Sequence, residues 1–222
     1  GRSYMIHIGD GLLKSTGALI APLLRGPRIV IITDRSVAGL HLETVQQSLT
    51  AAGLQVAEPI VLQPGEQTKS LTSFEGVIEA LLERAMDRSV TILALGGGVV
   101  GDLADFAAAT VLRGVDFVQV PTTLLAQVDS SVGGKTGVNS RRGKNLIGAF
   151  YQPRAVIIDP TVLDTLPRRE MLAGYAEIIK YGLIDDAPFY RWCLENGGAL
   201  TNGTPALRET AIATSCRSKA RI

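Results

Sequence analysis

The apolar residues of the chain follow two patterns that alternate along its first two thirds. Short runs in which apolar residues are continuous, or alternate with polar ones, predict strands at residues 4–9, 28–34, 54–62, 91–95, 116–121 and 155–159. Apolar residues at helical spacing predict helices between the strands, at residues 11–24, 36–53, 71–86 and 103–112. Strands that alternate with helices favour a mostly parallel sheet with helices on both faces.

Polar residues at the ends of these segments predict where helices begin and stop. Ser36 stands where an N-cap is expected for the second helix, and Gly53 stands where that helix should stop. Ser70 is the expected N-cap of the third helix.

The pattern changes near residue 160, where strands give way to helices alone. Helical spacing predicts helices at 167–184, 187–196 and 204–222, and the last one reaches the end of the chain without a C-cap. The sequence therefore predicts an α/β, Rossmann-like domain with a mostly parallel sheet over residues 1–160. The start of an all-α domain is expected over residues 161–222, and we expect that domain to be incomplete.

Composition and charge indicate which partners and which compartment are expected for this chain. The chain of 222 residues carries a net charge of +1, with acids and bases interspersed, so we expect no nucleic-acid or membrane partner. Two cysteines, Cys193 and Cys216, are too few for a disulfide framework or a zinc cluster and fit a reducing compartment. With no signal-peptide pattern and no long apolar run, we expect a cytoplasmic protein.

A glycine-rich segment follows the fourth predicted strand. Gly96, Gly98 and Gly101 satisfy the G-x-G-x-x-G pattern between a strand and a helix, the context in which it binds a dinucleotide. A tight strand-to-helix turn is the alternative interpretation. Asp34 ends a buried strand, where it could accept a hydrogen bond from a ribose hydroxyl or cap the next helix.

The segment 125–150 combines glycines with charged and amide side chains. Its GGKT sequence is not a nucleotide P-loop, because the first glycine of that pattern would fall at 129, which is Asp. Lys135, Lys144 and Asn145 follow Asp129, and Arg113 precedes the segment. Several cations beside flexible backbone suit a phosphorylated or carboxylated small substrate, whereas a solvated basic loop is the alternative.

The helix predicted at 167–184 carries one more candidate site. Glu177 and Lys180 are three residues apart and share a helical face, and Gly174 one turn earlier would leave space for a ligand. Glu177 could hold a metal ion, although a surface ion pair with Lys180 is the alternative. We interpret the two histidines, His7 and His41, as structural.

Several long segments together resemble one enzyme family. They read PGEQTKS, GGGVVGDLADFAAATVLRG, VPTTLLAQVDSSVGGKTGVN, GKNLIGAFYQP, LDTLPRRE and AGYAEIIKYG. In this order and spacing they are similar to the 3-dehydroquinate synthase family over roughly residues 28 to 190. In that family the GGKT segment belongs to the substrate site.

The resemblance implies a lyase of the shikimate pathway that eliminates phosphate and closes a carbocycle. It implies NAD, which is reduced to NADH and regenerated within each turnover, and a divalent metal, zinc or cobalt. The implied substrate is 3-deoxy-D-arabino-heptulosonate 7-phosphate, a small sugar phosphate, and the products are 3-dehydroquinate and phosphate. We further expect a homodimer.

The resemblance also assigns roles to residues of this chain. The residues implied to bind NAD are Asp34, Glu66, Lys69, Gly97, Gly98, Asp102, Thr122, Thr123, Lys144, Thr165 and Leu166. Those implied to bind the substrate or act on it are Arg113, Asp129, Lys135, Lys144, Asn145 and Lys180. Glu177 is implied as one metal ligand. The family's two other metal ligands are histidines from a later segment that this sequence does not contain, so we expect this chain alone to be inactive.

Three other interpretations remain open from the sequence. A related sugar-phosphate cyclase, of the 2-deoxy-scyllo-inosose synthase type, would share the fold and the redox cycle. A metal-dependent polyol dehydrogenase would instead release NADH, so steady NADH accumulation would favour it. A non-catalytic nucleotide-binding fragment is the third alternative.

Overall fold

The computed structural model describes residues 3–222, in which nine strands form one parallel sheet and one separate hairpin. The strands are β1 Met5–Ile8, β2 Arg28–Asp34, β3 Gln55–Val56, β4 Ile60–Leu62, β5 Thr91–Gly96, β6 Asp116–Pro121, β7 Lys135–Ser140, β8 Gly143–Phe150 and β9 Ala155–Ile158. The sheet has the order β1-β9-β6-β5-β2-β3, and β4 also pairs with β2. Every pairing within it is parallel, which confirms the predicted fold class.

Helices follow most of the strands and then continue alone to the end of the chain. They are α1 Thr16–Ile20, α2 Arg35–Val37, α3 Glu43–Ala51, α4 Leu71–Glu83, α5 Gly98–Thr110, α6 Arg168–Ile184, α7 Ala187–Thr201 and α8 Pro205–Arg221. A π-helical segment, Ala38–Leu42, joins α2 to α3. No helix within residues 3–222 is long and apolar enough to cross a bilayer.

Alternate residues of the central strands point into two separate cores. Ile29 and Ile31 of β2 belong to the core that includes Val45 and Leu49 of α3. The residues between them contribute to a second core that includes side chains of α4 and α5. This alternation follows from the two-residue period of a strand and explains why β2 is apolar throughout its middle.

The helices after residue 160 share the first of these cores. Ile178 of α6, Phe189 of α7 and Ile212 of α8 belong to the same apolar cluster as Val128 and Val156. The helical part therefore packs directly on the α/β part. The division into domains at residue 160 stays a prediction.

Two predicted elements differ in detail from the structure. The side chain of Asp34, not Ser36, caps the helix after β2, because Asp34 accepts hydrogen bonds from the amides of Ser36 and Val37. The strand predicted at 54–62 is broken into β3 and β4. Pro59 lies between them and has no amide hydrogen to donate to a neighbouring strand.

The helix predicted at 103–112 begins earlier, at Gly98. Glycine disfavours a helix by about 1 kcal/mol per residue relative to alanine, so apolar spacing alone does not reveal this early start. Close packing explains the first glycine of the segment. A Cβ added to Gly96 would lie 2.6 Å from Cβ of Val100, so only glycine lets β5 turn into α5 at this distance.

The segment 125–150, for which the sequence predicted no strand or helix, is ordered into regular elements. It forms a π-helical turn, Ala126–Ser130, followed by the antiparallel pair β7 and β8. Glycines obscured the hairpin because they weaken a strand pattern, but here they allow two backbones to approach closely. A Cβ on Gly148 would lie 1.9 Å from the carbonyl oxygen of Thr136.

The space expected beside Gly174 is filled by protein. A Cβ added to Gly174 would lie 2.6 Å from Cβ of Leu124 and 2.6 Å from the amide nitrogen of Leu125. Gly174 thus lets α6 pack against the segment that follows β6, and the prediction of ligand space at this position was wrong.

We expect Gly174→Ala to lower the free energy of unfolding by about 1–3 kcal/mol, because the added methyl group overpacks this contact. Gly76→Ala is the matched control, since Gly76 also lies in a helix and a Cβ there meets nothing within 4 Å. The control should be neutral or stabilising by up to about 1 kcal/mol. Urea denaturation of the two variants measures the difference, and equal stabilities would contradict the packing role of Gly174.

Candidate active site

A long cleft lies at the carboxyl ends of the central strands. It has a volume of about 790 Å³ and is lined by residues that follow three neighbouring strands, among them Gly97 after β5 and Thr122 after β6. Asp34, the last residue of β2, lies in the same wall. Ligands of open α/β sheets bind at this edge, where the strand ends and helix beginnings meet.

Every residue predicted to bind NAD lines this one cleft. They are Asp34, Glu66, Lys69, Gly97, Gly98, Asp102, Thr122, Thr123, Lys144, Thr165 and Leu166. Their positions span more than half of the sequence, so the fold brings together residues that the sequence keeps far apart. The geometry is that expected of a single elongated ligand site, whereas the individual roles stay predictions.

The glycine turn offers backbone rather than side chains to the cleft. Gly97 is the extended N-cap residue of α5, and helical geometry begins at Gly98. A Cβ on Gly97 would lie 3.0 Å from Cγ2 of Thr123, which leaves little room for a side chain. The free amides at the start of a helix carry partial positive charge and suit the phosphates of a dinucleotide.

Only one of the two carboxylate oxygens of Asp34 is used in the helix cap. Its Oδ1 accepts hydrogen bonds from the amides of Ser36 at 2.8 Å and Val37 at 3.0 Å. No described residue donates to Oδ2, and Asp34 lines the cleft. The helix-capping role is therefore observed, and it leaves one oxygen for a ligand.

A buried ion pair lies on the floor of the cleft. Lys69 forms a salt bridge with Asp102 of α5, and the side chains are only 7% and 17% exposed. Burial raises the pKa of Asp102 above its ordinary value, and the bond from Lys69 opposes this shift in part. Lys69 therefore neutralises the negative charge of Asp102 near the start of α5.

Glu66 connects the cleft to the hairpin. It accepts a hydrogen bond from Asn139 of β7 at 2.8 Å and lies 3.5 Å from Nζ of Lys144. Burial alone would raise the pKa of Glu66, but the bond from Asn139 and the charges of Lys144 and Lys69 lower it overall. These contacts hold the hairpin against the loop that precedes α4.

A second cavity, the hairpin cavity, has a volume of about 400 Å³. Asp129, Lys135 and Asn145, all predicted to bind substrate, line it. Asn145 adopts a left-handed conformation with φ 57°, and its amide donates to the side chain of Asn139 at 3.0 Å. Asparagine tolerates this conformation better than most residues, so this turn is locally supported.

The two cavities share a wall. The residues that line both are Asp102, Asp129, Ser130 and Asn145. A ligand in the long cleft and a ligand in the hairpin cavity would therefore meet across these side chains.

Asp129 belongs to the shared wall and is contacted from the helical part of the chain. Its Oδ1 accepts a hydrogen bond from Tyr181 of α6 at 2.9 Å and another from Lys219 of α8. Burial alone would raise the pKa of Asp129. The bonds from Lys219 and Tyr181 and the charges of Lys219 and Lys180 lower it overall, which favours the carboxylate.

Sequence reasoning missed two residues that line these cavities, Lys219 and His41, and one that contacts their shared wall, Tyr181. Lys219 lines the hairpin cavity, and Tyr181 contacts Asp129 without being recognised. His41 was interpreted as structural, but it lines the long cleft with Nε2 3.4 Å from Oγ1 of Thr165, and burial lowers its pKa. The motif around Lys180 could have drawn attention to Tyr181, which follows it directly, whereas no local signal marks Lys219 or His41.

Three predicted site residues line neither cavity. Arg113 is exposed and follows the far end of α5, roughly 20 Å from Gly98 at a rise of about 1.5 Å per residue. Lys180 and Glu177 form an ion pair with each other on α6, the alternative that the sequence left open. The roles of these residues toward a substrate or metal stay predictions.

The part of the chain that the structure describes contains no cluster of metal-ligating side chains. Within residues 3–222, no group of three or more histidine, cysteine, aspartate or glutamate side chains comes together. Catalytic zinc is typically held by about three protein ligands. Glu177, already paired with Lys180, does not meet this requirement.

Comparison with known proteins identifies the family. A family model described as the 3-dehydroquinate synthase N-terminal domain matches residues 59–173, and the corresponding C-terminal model matches residues 174–222. The chain belongs to the 3-dehydroquinate synthase family. A 3-dehydroquinate synthase from Rhodospirillum rubrum is 60% identical over 221 residues, which cover 100% of this chain and 57% of the relative.

Solved structures of related cyclases share the fold. A 2-epi-5-epi-valiolone synthase from Streptomyces hygroscopicus subsp. jinggangensis, with NAD⁺ and Zn²⁺ bound, aligns with a TM-score of 0.90 and 29% identity over 99% of this chain and 61% of that one. A 2-deoxy-scyllo-inosose synthase complexed with carbaglucose-6-phosphate, NAD⁺ and Co²⁺ aligns with a TM-score of 0.82 and 30% identity over 98% of this chain and 58% of that one. This chain thus spans somewhat more than half the length of its relatives.

We expect this chain to lose zinc on dialysis, because a single carboxylate displaces too little of the ion's hydration to hold it. A version completed to the length of its relatives, with the later histidines, should retain about one zinc per chain. Metal analysis after dialysis measures both. Stoichiometric zinc in the short chain would show that the metal ligands have been misassigned.

Proposed function

We propose that this chain forms the cofactor cleft and part of the substrate cavity of a 3-dehydroquinate synthase. The completed protein would convert 3-deoxy-D-arabino-heptulosonate 7-phosphate to 3-dehydroquinate and phosphate, using NAD and a divalent metal. The observation that carries the proposal is the wall shared by the long cleft and the hairpin cavity. A redox cofactor and its substrate must be adjacent, and ligands on the two sides of this wall would be.

The long cleft has the features that NAD requires. The amides of Gly97 and Gly98 would hold the pyrophosphate, and Oδ2 of Asp34 would accept from a ribose hydroxyl. Lys69 neutralises Asp102 beside this position, which reduces repulsion of the phosphates. Bound NAD would supply a hydride acceptor for a substrate alcohol and return the hydride later in the same turnover.

The hairpin cavity suits an anionic, hydroxyl-rich ligand. Lys135 is exposed at its edge and free to offer positive charge to a phosphate or carboxylate. Asp129 and Asn145 would accept from and donate to substrate hydroxyls. The family membership supports a sugar phosphate as the ligand that combines these groups.

Two alternatives come from related chemistry. A cyclase of the 2-deoxy-scyllo-inosose synthase type would use the same cleft, but the solved example is 30% identical, against 60% for the 3-dehydroquinate synthase from R. rubrum. A polyol dehydrogenase would accumulate NADH. Assay of the completed protein with the heptulosonate phosphate, following both phosphate release and NADH absorbance, separates these functions. Phosphate release without net NADH supports the proposal, and net NADH contradicts it.

We expect NAD to bind more tightly than NADP, because Asp34 would repel a 2′-phosphate. Asp34→Asn keeps an oxygen for the helix cap but removes the charge. It should improve NADP binding relative to NAD by at least about tenfold without loss of stability. Asp34→Ala should in addition lower stability by about 1 kcal/mol. Calorimetric titration of both cofactors measures the ratio, and an unchanged ratio in Asp34→Asn would exclude the ribose role.

We expect Lys135→Ala in the completed protein to lower kcat/KM by roughly ten- to a hundredfold, since a charged hydrogen bond to the substrate is lost. NAD affinity should stay nearly unchanged, because Lys135 lines only the hairpin cavity. Arg141→Ala is the matched control, an exposed cation at the turn of the same hairpin that lines neither cavity. A loss of NAD affinity with normal turnover of substrate would reverse the assignment of Lys135.

A further inference from the structure

Only one of the two carboxylate oxygens of Asp129 accepts hydrogen bonds from the described residues. Tyr181 of α6 and Lys219 of α8 both donate to the same oxygen, Oδ1. No described residue donates to Oδ2, although Asp129 lines both cavities. One oxygen is thus committed to the helical part of the chain, and the other is available to a ligand.

The two donors differ in how firmly they can hold Oδ1. Tyr181 is one of the largest fully buried side chains and is 1% exposed, so its hydroxyl is fixed by the packing of the ring. Lys219 is 22% exposed at the end of a flexible side chain and itself lines the hairpin cavity. An anionic ligand in that cavity could draw Lys219 away from Asp129, but it could not move Tyr181.

The hydroxyl of Tyr181 can act only as a donor toward Asp129. Burial, followed by the hydrogen bond to the carboxylate, raises the pKa of Tyr181 well above its ordinary value, so the hydroxyl keeps its proton. Lys180 lies over the ring with Nζ 5.1 Å from its centre. The tyrosine hydroxyl therefore keeps its proton at neutral pH and donates a hydrogen bond to the carboxylate of Asp129.

We propose that Tyr181 is a positioning residue, whose buried hydroxyl fixes Oδ1 of Asp129 and thereby keeps Oδ2 facing the ligands of the two cavities. This role rests on the proposed function, because it concerns how the same shared wall binds cofactor and substrate. It gives α6 a part in the site that does not depend on Glu177 or on a metal ion. It also means that the shared wall includes contacts from the helical part of the chain.

The charged groups around Asp129 predict the direction of the effect. Lys219 on α8 and Lys180 on α6 favour its carboxylate, and Asp102 on α5 is the nearby group of like charge. Removal of the Tyr181 hydroxyl leaves these charges unchanged and takes away one hydrogen bond to the ionised form. The pKa of Asp129 should therefore rise.

The test compares Tyr181→Phe with Tyr175→Phe in this chain. Tyr175 is the matched control, because it lies on the same helix and donates its hydroxyl to the carbonyl of Cys193 at 2.7 Å, away from both cavities. Both substitutions keep the ring and remove one partly buried hydrogen bond, so both should lower stability. Thermal unfolding checks that the two variants are folded to the same extent.

The decisive readout is the titration of the Asp129 carboxyl carbon by ¹³C NMR. We expect its midpoint to move to higher pH in Tyr181→Phe and to stay unchanged in Tyr175→Phe. An unchanged midpoint in Tyr181→Phe, or equal changes in both variants, would overturn the positioning role.

A second measurement on the completed protein keeps this inference separate from the proposed function. If Asp129 must be ionised to bind substrate, the acid limb of the kcat/KM profile should move to higher pH in Tyr181→Phe and not in Tyr175→Phe. A moved NMR midpoint without any phosphate release from the heptulosonate phosphate would reject the proposed function and support the positioning role. If turnover is normal but neither the acid limb nor the NMR midpoint moves in Tyr181→Phe, the proposed function is supported and the positioning role is rejected.

Discussion

The close approach of β5 and α5 at the glycine turn is the constraint on which the site depends. Gly96 allows the backbone to reverse against Val100 at a distance that any side chain would prevent. The turn places the free amides of α5 at the carboxyl edge of the sheet. Because β5 lies between β2 and β6, the same edge also receives Asp34 from one neighbour and the segment 122–129 from the other. A shift of this turn would therefore disturb every wall of the long cleft.

The sequence predicted those parts of the fold in which local pattern and tertiary structure agree. β2 and β6 have the predicted bounds, because both are continuous apolar runs ended by polar or proline residues. The hairpin was missed because β8 is largely exposed and carries Gly143 and Gly148, so it lacks the alternation that marks a half-buried strand. The early start of α5 was missed for a related reason, since glycines at a helix beginning look like a turn. In each case packing outweighed local propensity.

The candidate site was predictable where its residues lie in recognisable motifs. Asp34 and the glycines could be chosen from their positions after strands, and the remaining cofactor residues from the family resemblance. Lys219 and His41 could not be found in this way, because neither lies in one of these motifs. They join the site only through contacts of α8 with the π-helical turn at 126–130 and of the segment after β2 with the segment at 160–167. Such long-range contacts leave no periodic trace in a single sequence.

The shared wall also contains two carboxyl groups whose pKa values are shifted in opposite directions. Burial dominates at Asp102 and raises its pKa, even though Lys69 is paired with it. Donors dominate at Asp129, where Lys219 and Tyr181 outweigh burial and lower the pKa. Environments that separate the pKa values of two neighbouring acids are typical of sites in which one acid must stay ionised and the other must be more easily protonated. Asp102, whose pKa is raised, lies near the start of α5, where phosphates would bind. Asp129, whose pKa is lowered, lies between the two cavities. The wall can therefore accept a negatively charged dinucleotide on one side and still offer an ionised acceptor to a hydroxyl group on the other.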